Sequence, residues 1–198
     1  MENKKTMQLD YKIILDLIKN KSSVLDLGCG DGELLRILSD GKNIKSQGVE
    51  IDEQAIYKCV EKGLNVLHEN IDTSLPEYKD KSFDYVIMNQ SLQQVLYLEE
   101  VLDNALRVGK QVIVGFPNFT YYRARLQILF LGRTPVTPAL PYKWYQTPNL
   151  HCLSIADFKI YCKQHQIRIE KALYLGVRKP VYLFPNFFAN SSIFLISR

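Results

Sequence analysis

The glycine spacing that follows an apolar strand near the N-terminus constrains this chain more than any other feature. Val24 to Leu35 reads VLDLGCGDGELL, and Gly48 to Asp52 reads GVEID. An apolar strand meets an acid, Asp26, then a turn with Gly28, Gly30 and Gly32, then a helix opening at Glu33. About twenty residues on, a second strand closes in Glu50. Glycines at such a turn let a ligand approach the backbone where a Cβ would otherwise stand. An acid closing the second strand accepts two hydrogen bonds from a ribose diol. A nucleoside-bearing ligand is therefore expected at the carboxyl edge of a parallel sheet.

The spacing is GxGxG, not the GxGxxG of dinucleotide sites, and Asp26 stands where a pyrophosphate would be repelled. S-adenosylmethionine carries a sulfonium and an ammonium, so an acid there attracts it. The bland alternative is a tight strand-to-helix turn with no ligand, which leaves Asp26 and Glu50 unexplained. The residues thus predict a site for S-adenosylmethionine or S-adenosylhomocysteine at Asp26, Gly28, Cys29, Gly30, Glu50 and Ile51. Asn70, Ile71 and Asn89, near the ends of the third and fourth strands, complete it, and no metal is expected.

Strand and helix signals alternate along the chain. Strands are predicted at 22–28, 46–51, 65–70, 83–88, 111–116, 167–175 and 193–197. Helices are predicted at 9–20, at 32–40 with Asp31 as N-cap and Gly41 as stop, and from Asp52 to Gly63. Further helices are predicted at 98–108, stopped by Gly109, and from a capping box at Ser154–Asp157 to Gln164. The last two strands read as an antiparallel pair at the sheet edge. The expectation is a Rossmann-like, doubly wound, seven-stranded, mostly parallel sheet of the class I methyltransferase fold. It forms one domain over 1–198, with a helix-plus-loop insertion at about 118–150.

That insertion is the second informative segment. A helix over 121–131 precedes a loop in which Pro135, Pro138, Pro141 and Pro148 hold Tyr142, Trp144 and Tyr145. Either these aromatics pack on the domain as a surface excursion, or the loop is a lid or docking surface. The second reading makes Arg133, Tyr142, Trp144 and Tyr145 the acceptor or partner surface. A net charge of +4 is too mild to imply nucleic acid. The four cysteines show no metal-like spacing, residues 1–10 lack a signal-peptide apolar core, and no run is long enough to span a membrane. A cytoplasmic protein is expected.

Catalytic residues are sparse. Asn89–Gln94, NQSLQQ, lacks the (D/N)PP(Y/F) motif of DNA amino-methyltransferases, and no acidic oxygen cluster for a metal is evident there. Cys29, in the turn, and Cys59, within a helix, read as packing residues. His151, just after the aromatic loop, is the best general-base candidate.

From about Ser23 to Ile169 the chain resembles the methionine biosynthesis protein MetW family. The resemblance rests on VLDLGCGDGELL, on GVEID with Cys59 following, and on SFDYVIMNQSLQQ at 82–94. It also rests on VLDNALRVGKQVIVGFPNF at 101–119 and, most specifically, on GRTPVTPALPYKWYQTPNLHCLSIADF at 132–158. It implies a role in methionine synthesis alongside homoserine O-acetyltransferase, which in some bacteria needs this family to work well. No methyl acceptor is implied. An S-adenosylmethionine-dependent methyltransferase acting on a small molecule stays open as the alternative. One departure is Asn70, where many relatives place Asp. Its carbonyl can still accept from adenine N6, without charge assistance.

Overall fold

The central strands are apolar on both faces, as strands sandwiched between helices must be. β1 (Ser23–Leu27), β4 (Phe83–Asn89) and β5 (Gly109–Pro117) carry long buried runs with no polar alternation. The remaining strands are β2 (Lys45–Glu50), β3 (Val66–His68), β6 (Arg168–Leu175) and β7 (Ser191–Ser197). In this computed structural model, which describes residues 8–198, they form one sheet in the order β3-β2-β1-β4-β5-β7-β6. Residues 1–7, part of the segment read above as lacking a signal-peptide core, lie outside the described residues. Strands β1 to β5 are parallel, and β7 runs antiparallel to both β5 and β6.

The helices are α1 (Leu9–Leu17), α2 (Glu33–Lys42), α3 (Glu53–Glu61), α4 (Ile71–Ser74), α5 (Leu98–Val108), α6 (Tyr122–Leu131), α7 (Ile155–Gln164) and α8 (Pro185–Phe188). One face of the sheet is covered by α5 and α7, where Leu102, Leu106 and Phe158 meet Val86, Phe116 and Phe194. Phe158 holds the centre, with ring centroids 5.0 Å from Phe116 and 4.8 Å from Phe194. The opposite face is covered by α1 and α2, through Ile14, Leu34 and Leu38 against Ile87 and Ile113. After β3 the chain returns past β1 to lay down β4. The order in which strands are added reverses between β1 and β4, which stay parallel, and a crevice opens there at the carboxyl ends.

Several ends fall differently from the sequence expectation. Gly32, in the left-handed region at φ 75°, occupies the N-cap of α2 rather than Asp31. The Asp31 carboxylate instead accepts the Glu33 N–H at 3.3 Å. Gly41 does not stop that helix, which runs through it to Lys42 and closes on Asn43 in the left-handed region. Strand β3 is only three residues long, because Asn70 leaves the sheet to cap α4. The capping box at Ser154 forms as read, with both reciprocal bonds to Asp157. No described helix is long and apolar enough to cross a membrane.

Candidate cofactor site

The glycine turn is fastened from three sides. The Gly28 and Cys29 N–H groups both donate to the Val49 carbonyl, at 2.8 and 3.2 Å. The Gly30 N–H donates to Glu50 Oε2 at 2.7 Å. From α3, Cys59 Sγ approaches the Gly30 carbonyl at 3.2 Å, and Lys62 Nζ donates to the Asp31 carbonyl at 2.6 Å. Gly28 sits at φ 77°, and a Cβ there would lie 2.9 Å from Ser91 Cβ. Glycine is thus required both for the backbone angle and for the close approach of the loop after β4. Around Gly30 a Cβ would meet nothing within 4 Å, so the turn presents open backbone to the crevice.

That crevice is a cavity of about 430 Å³. Of the sequence-predicted residues, Gly28, Gly30, Glu50, Ile51, Asn70 and Ile71 line it. Asp72, Gln90, Ser91, Gln94 and Val95 line it as well. Most of these additional residues lie on the loop after β4, which carries no motif to mark them. Ser91 Oγ is buried without a hydrogen-bond partner. An unmet hydroxyl, an open glycine backbone and an acid at the end of β2 fit a nucleoside-bearing ligand.

Glu50 is more heavily engaged than the sequence suggests. Its Oε1 accepts from the Ile51 and Asp52 N–H groups at 2.8 and 3.0 Å, besides the Gly30 bond to Oε2. Three of about four carboxylate acceptor positions are occupied, so one remains for a ribose hydroxyl rather than the expected two. Asn70 Oδ1 accepts the Asp72 N–H at 2.9 Å, which leaves one lone pair and the amide N–H₂ for a ligand. Asp72 Oδ1 in turn accepts the Leu96 and Tyr97 N–H groups, each at 3.0 Å, and so ties the loop after β4 to α4.

Three predicted residues do not line the cavity. Asp26 lies buried at the end of β1, and burial, with the nearby Glu50 charge, pushes its carboxyl up to about 7. Cys29 packs with Leu35 and Cys59 behind the turn, where burial raises its thiol well above the usual range. Asn89 turns away, donating from Nδ2 to Asp10 Oδ2 at 3.0 Å. Among the described residues no group of three or more His, Cys, Asp or Glu side chains is placed to hold a metal.

His151 stands apart from the glycine turn. Its Nε2 is 3.0 Å from the Val95 carbonyl, and its N–H donates to the Gln93 carbonyl. An Nε2–H tautomer satisfies that carbonyl and leaves Nδ1 as the acceptor. Leu150 and His151 thereby pin the end of the aromatic loop to the segment after β4. The loop's start is held by Gln127 of α6, whose side chain makes two bonds of 2.9 Å with the Val136 backbone. Between these anchors Arg133, Tyr142, Trp144 and Tyr145 are exposed, with Trp144 and Tyr145 in an edge-on pair. Tyr142 and Trp144 line a small apolar cavity of about 50 Å³.

One surface escaped the sequence reading. Helix α6 is apolar along its C-terminal half, yet Leu129 is 73% and Phe130 74% exposed, and Leu126, Ile128 and Leu131 are exposed too. It abuts a second exposed apolar segment, because Tyr122 stacks on Phe187 at 6.0 Å and Arg125 lies over the same ring. Tyr182, Leu183 and Phe184 extend that ridge, at 75% exposure or more. An apolar helix normally lies buried, so this face lacks its cover.

Comparison with known proteins fits this geometry. The family described as methionine biosynthesis protein MetW matches residues 8–196. The bifunctional methionine biosynthesis protein MetXA/MetW of Rhodopirellula baltica is 34% identical over 181 residues, covering 87% of this chain and 29% of that protein. The chain spans between 29 and 53% of the lengths of the relatives it matches. Among solved structures, a SAM-dependent methyltransferase from Archaeoglobus fulgidus superposes with a TM-score of 0.72 at 18% identity, covering 96% of this chain and 91% of its own. One from Aquifex aeolicus gives 0.62 at 18% identity, covering 94% and 88%. The chain therefore has the class I methyltransferase fold and belongs to the methionine biosynthesis protein MetW family.

Proposed function

We propose that this protein is a cytoplasmic auxiliary subunit that binds S-adenosylmethionine or S-adenosylhomocysteine and supports homoserine O-acetyltransferase by direct contact. The observation that carries the partner is the Rhodopirellula baltica relative, whose name joins MetXA and MetW in one protein. The uncovered ridge of α6 and residues 182–188, with the aromatic loop at 132–150 beside it, supplies a contact surface of the needed character. Trp144 and Tyr145 are its anchors, since aromatic side chains dominate interface energetics.

The cofactor reading rests on the cavity at the glycine turn. Gly28 and Gly30 admit the ligand to the backbone, the free Oε2 position of Glu50 takes a ribose hydroxyl, and Asn70 and Ile71 flank the base. Asp26 lies buried beneath the turn with its carboxyl pushed up to about 7, and a cationic ligand nearby would favour its charged form. Bound S-adenosylmethionine would supply an electrophilic methyl group. A second reading, a methyltransferase acting on a small molecule, is favoured by a separate polar chamber that adjoins the same cavity. The test is to mix the purified protein with homoserine O-acetyltransferase, follow co-elution, and assay acetyl transfer with and without it. An acyltransferase whose rate is unchanged by the protein, with no co-elution, refutes the auxiliary role.

A further inference from the structure

We propose that the chamber beside the cofactor cavity binds a small molecule bearing a protonated amine. The neighbouring cavity's occupant follows from the reading above, but the chamber's own chemistry does not depend on it. The chamber measures about 360 Å³ and shares Gln90 and Gln94 with the cofactor cavity. Asp10, Gln93, Tyr142 and Asn190 line its other sides.

Two buried acceptors in the walls lack a hydrogen-bond partner. Gln93 and Gln94 both spend an amide N–H on the Gln90 carbonyl, at 2.8 and 2.9 Å. Gln90 holds that carbonyl in place from a left-handed backbone at φ 63°, with its own N–H on the Gly115 carbonyl. The bond fixes the orientation of the Gln93 amide. Its oxygen is left with no donor, although the side chain is 3% exposed. Asn190 Oδ1, on a residue 8% exposed, is likewise unmet. Asp10 takes one bond, from Asn89 to Oδ2, and keeps Oδ1 free among the described residues. Among the described residues no lysine, arginine or histidine lines the chamber.

Two buried acceptors without donors, beside one negative charge, suit a group that only donates. An ammonium offers three donors and no acceptor. A carboxylate or phosphate in the same place would face Asp10 and carbonyl-type oxygens with no compensating cation among the described residues.

The experiment uses three probes of equal chain length, n-butylamine, n-butanol and butyrate. Each is titrated into the protein by NMR, alone and at saturating S-adenosylhomocysteine. Butylamine is expected to bind at least tenfold more tightly than butanol, and butyrate not at all, with at most a twofold change when S-adenosylhomocysteine is present. Asp10→Asn should weaken butylamine at least fivefold. Asn190→Leu, checked for folding by circular dichroism, gives an independent loss. Equal binding of the three probes, a preference for butyrate, or indifference to both substitutions overturns the proposal. One-for-one displacement by S-adenosylhomocysteine also overturns it, by making the chamber the seat of the cofactor's own ammonium. S-adenosylhomocysteine that fails to bind refutes the cofactor reading instead, and leaves the amine preference of the free protein as a separate result.

Discussion

Glu50→Gln is the sharpest single perturbation of the site, because it changes charge without changing shape. The carboxylate holds three backbone N–H groups, of Gly30, Ile51 and Asp52, at 2.7 to 3.0 Å. A glutamine amide has one oxygen. It can keep the Ile51 and Asp52 pair or the Gly30 bond, but its N–H₂ then faces the remaining donors. A bond to a charged acceptor contributes roughly 1.5–3 kcal/mol, and a neutral one about 1 kcal/mol. Losing one and weakening the others costs about 3 kcal/mol. The substitution also removes a buried charge that repels Asp26, which offsets part of the loss. A net destabilisation of about 2 kcal/mol lowers Tm by roughly 4–8 °C in a chain of this size. Cofactor affinity falls further, because the turn loosens and the free acceptor position loses its charge, so calorimetry should read at least a tenfold weaker S-adenosylhomocysteine Kd. A variant with Tm within a degree of the parent and affinity within twofold would refute the assignment of Glu50 as the clasp of the turn.

Other outcomes follow from the same geometry. The Asp26 carboxyl, ordinarily near 3.8, titrates at about 7 in the folded chain. Between these values the folded state holds a proton that the unfolded state has released, so the contribution of Asp26 to stability is fully present below about pH 4 and is lost as pH rises to about 7, on the order of 4 kcal/mol for this group. Asp26→Asn should flatten that slope in denaturant titrations at pH 4 to 8, and a slope that survives the substitution assigns it to another group. Replacing Leu129 and Phe130 together by Ser should leave folding and S-adenosylhomocysteine affinity intact while abolishing co-elution with the acyltransferase; retained co-elution removes α6 from the contact surface. Trp144→Ala is expected to weaken the complex by about 2 kcal/mol, read as a roughly thirtyfold higher Kd, and an unchanged Kd makes the loop a structural excursion.

The glycine turn and the alternation of elements were legible because each rests on local chemistry. GxGxG between an apolar strand and a helix permits few backbones, and the buried runs of β4 and β5 announce a sheet covered on both sides. The loop after β4 was not legible. Gln90, Ser91, Gln94 and Val95 reach the cavity only because Gly28 lets Ser91 approach and Asp72 anchors Leu96 and Tyr97, both contacts distant in sequence. Asn70 lines the cavity but reads in the sequence as a strand end, since an N-cap two residues after β3 leaves no periodic signal. The exposure of α6 was hidden for the opposite reason. An apolar helical stretch reads as core, and nothing local tells a covered face from an uncovered one.

The position of β7 sets a timetable for folding. β5 ends at Pro117 and β6 at Leu175, yet neither pairs with the other; each pairs with β7, which begins at Ser191. During synthesis β5 therefore emerges with one apolar edge open, and that edge stays open until the strand destined for it has left the ribosome. Phe194, which the strand carries into the aromatic centre beside Phe116, arrives last of that group. Such delayed closure raises contact order and prolongs the time an unpaired edge is available to other chains. Nascent chains halted before residue 191 should therefore aggregate or recruit chaperones, while the parallel half, β1 to β4, is already free to assemble.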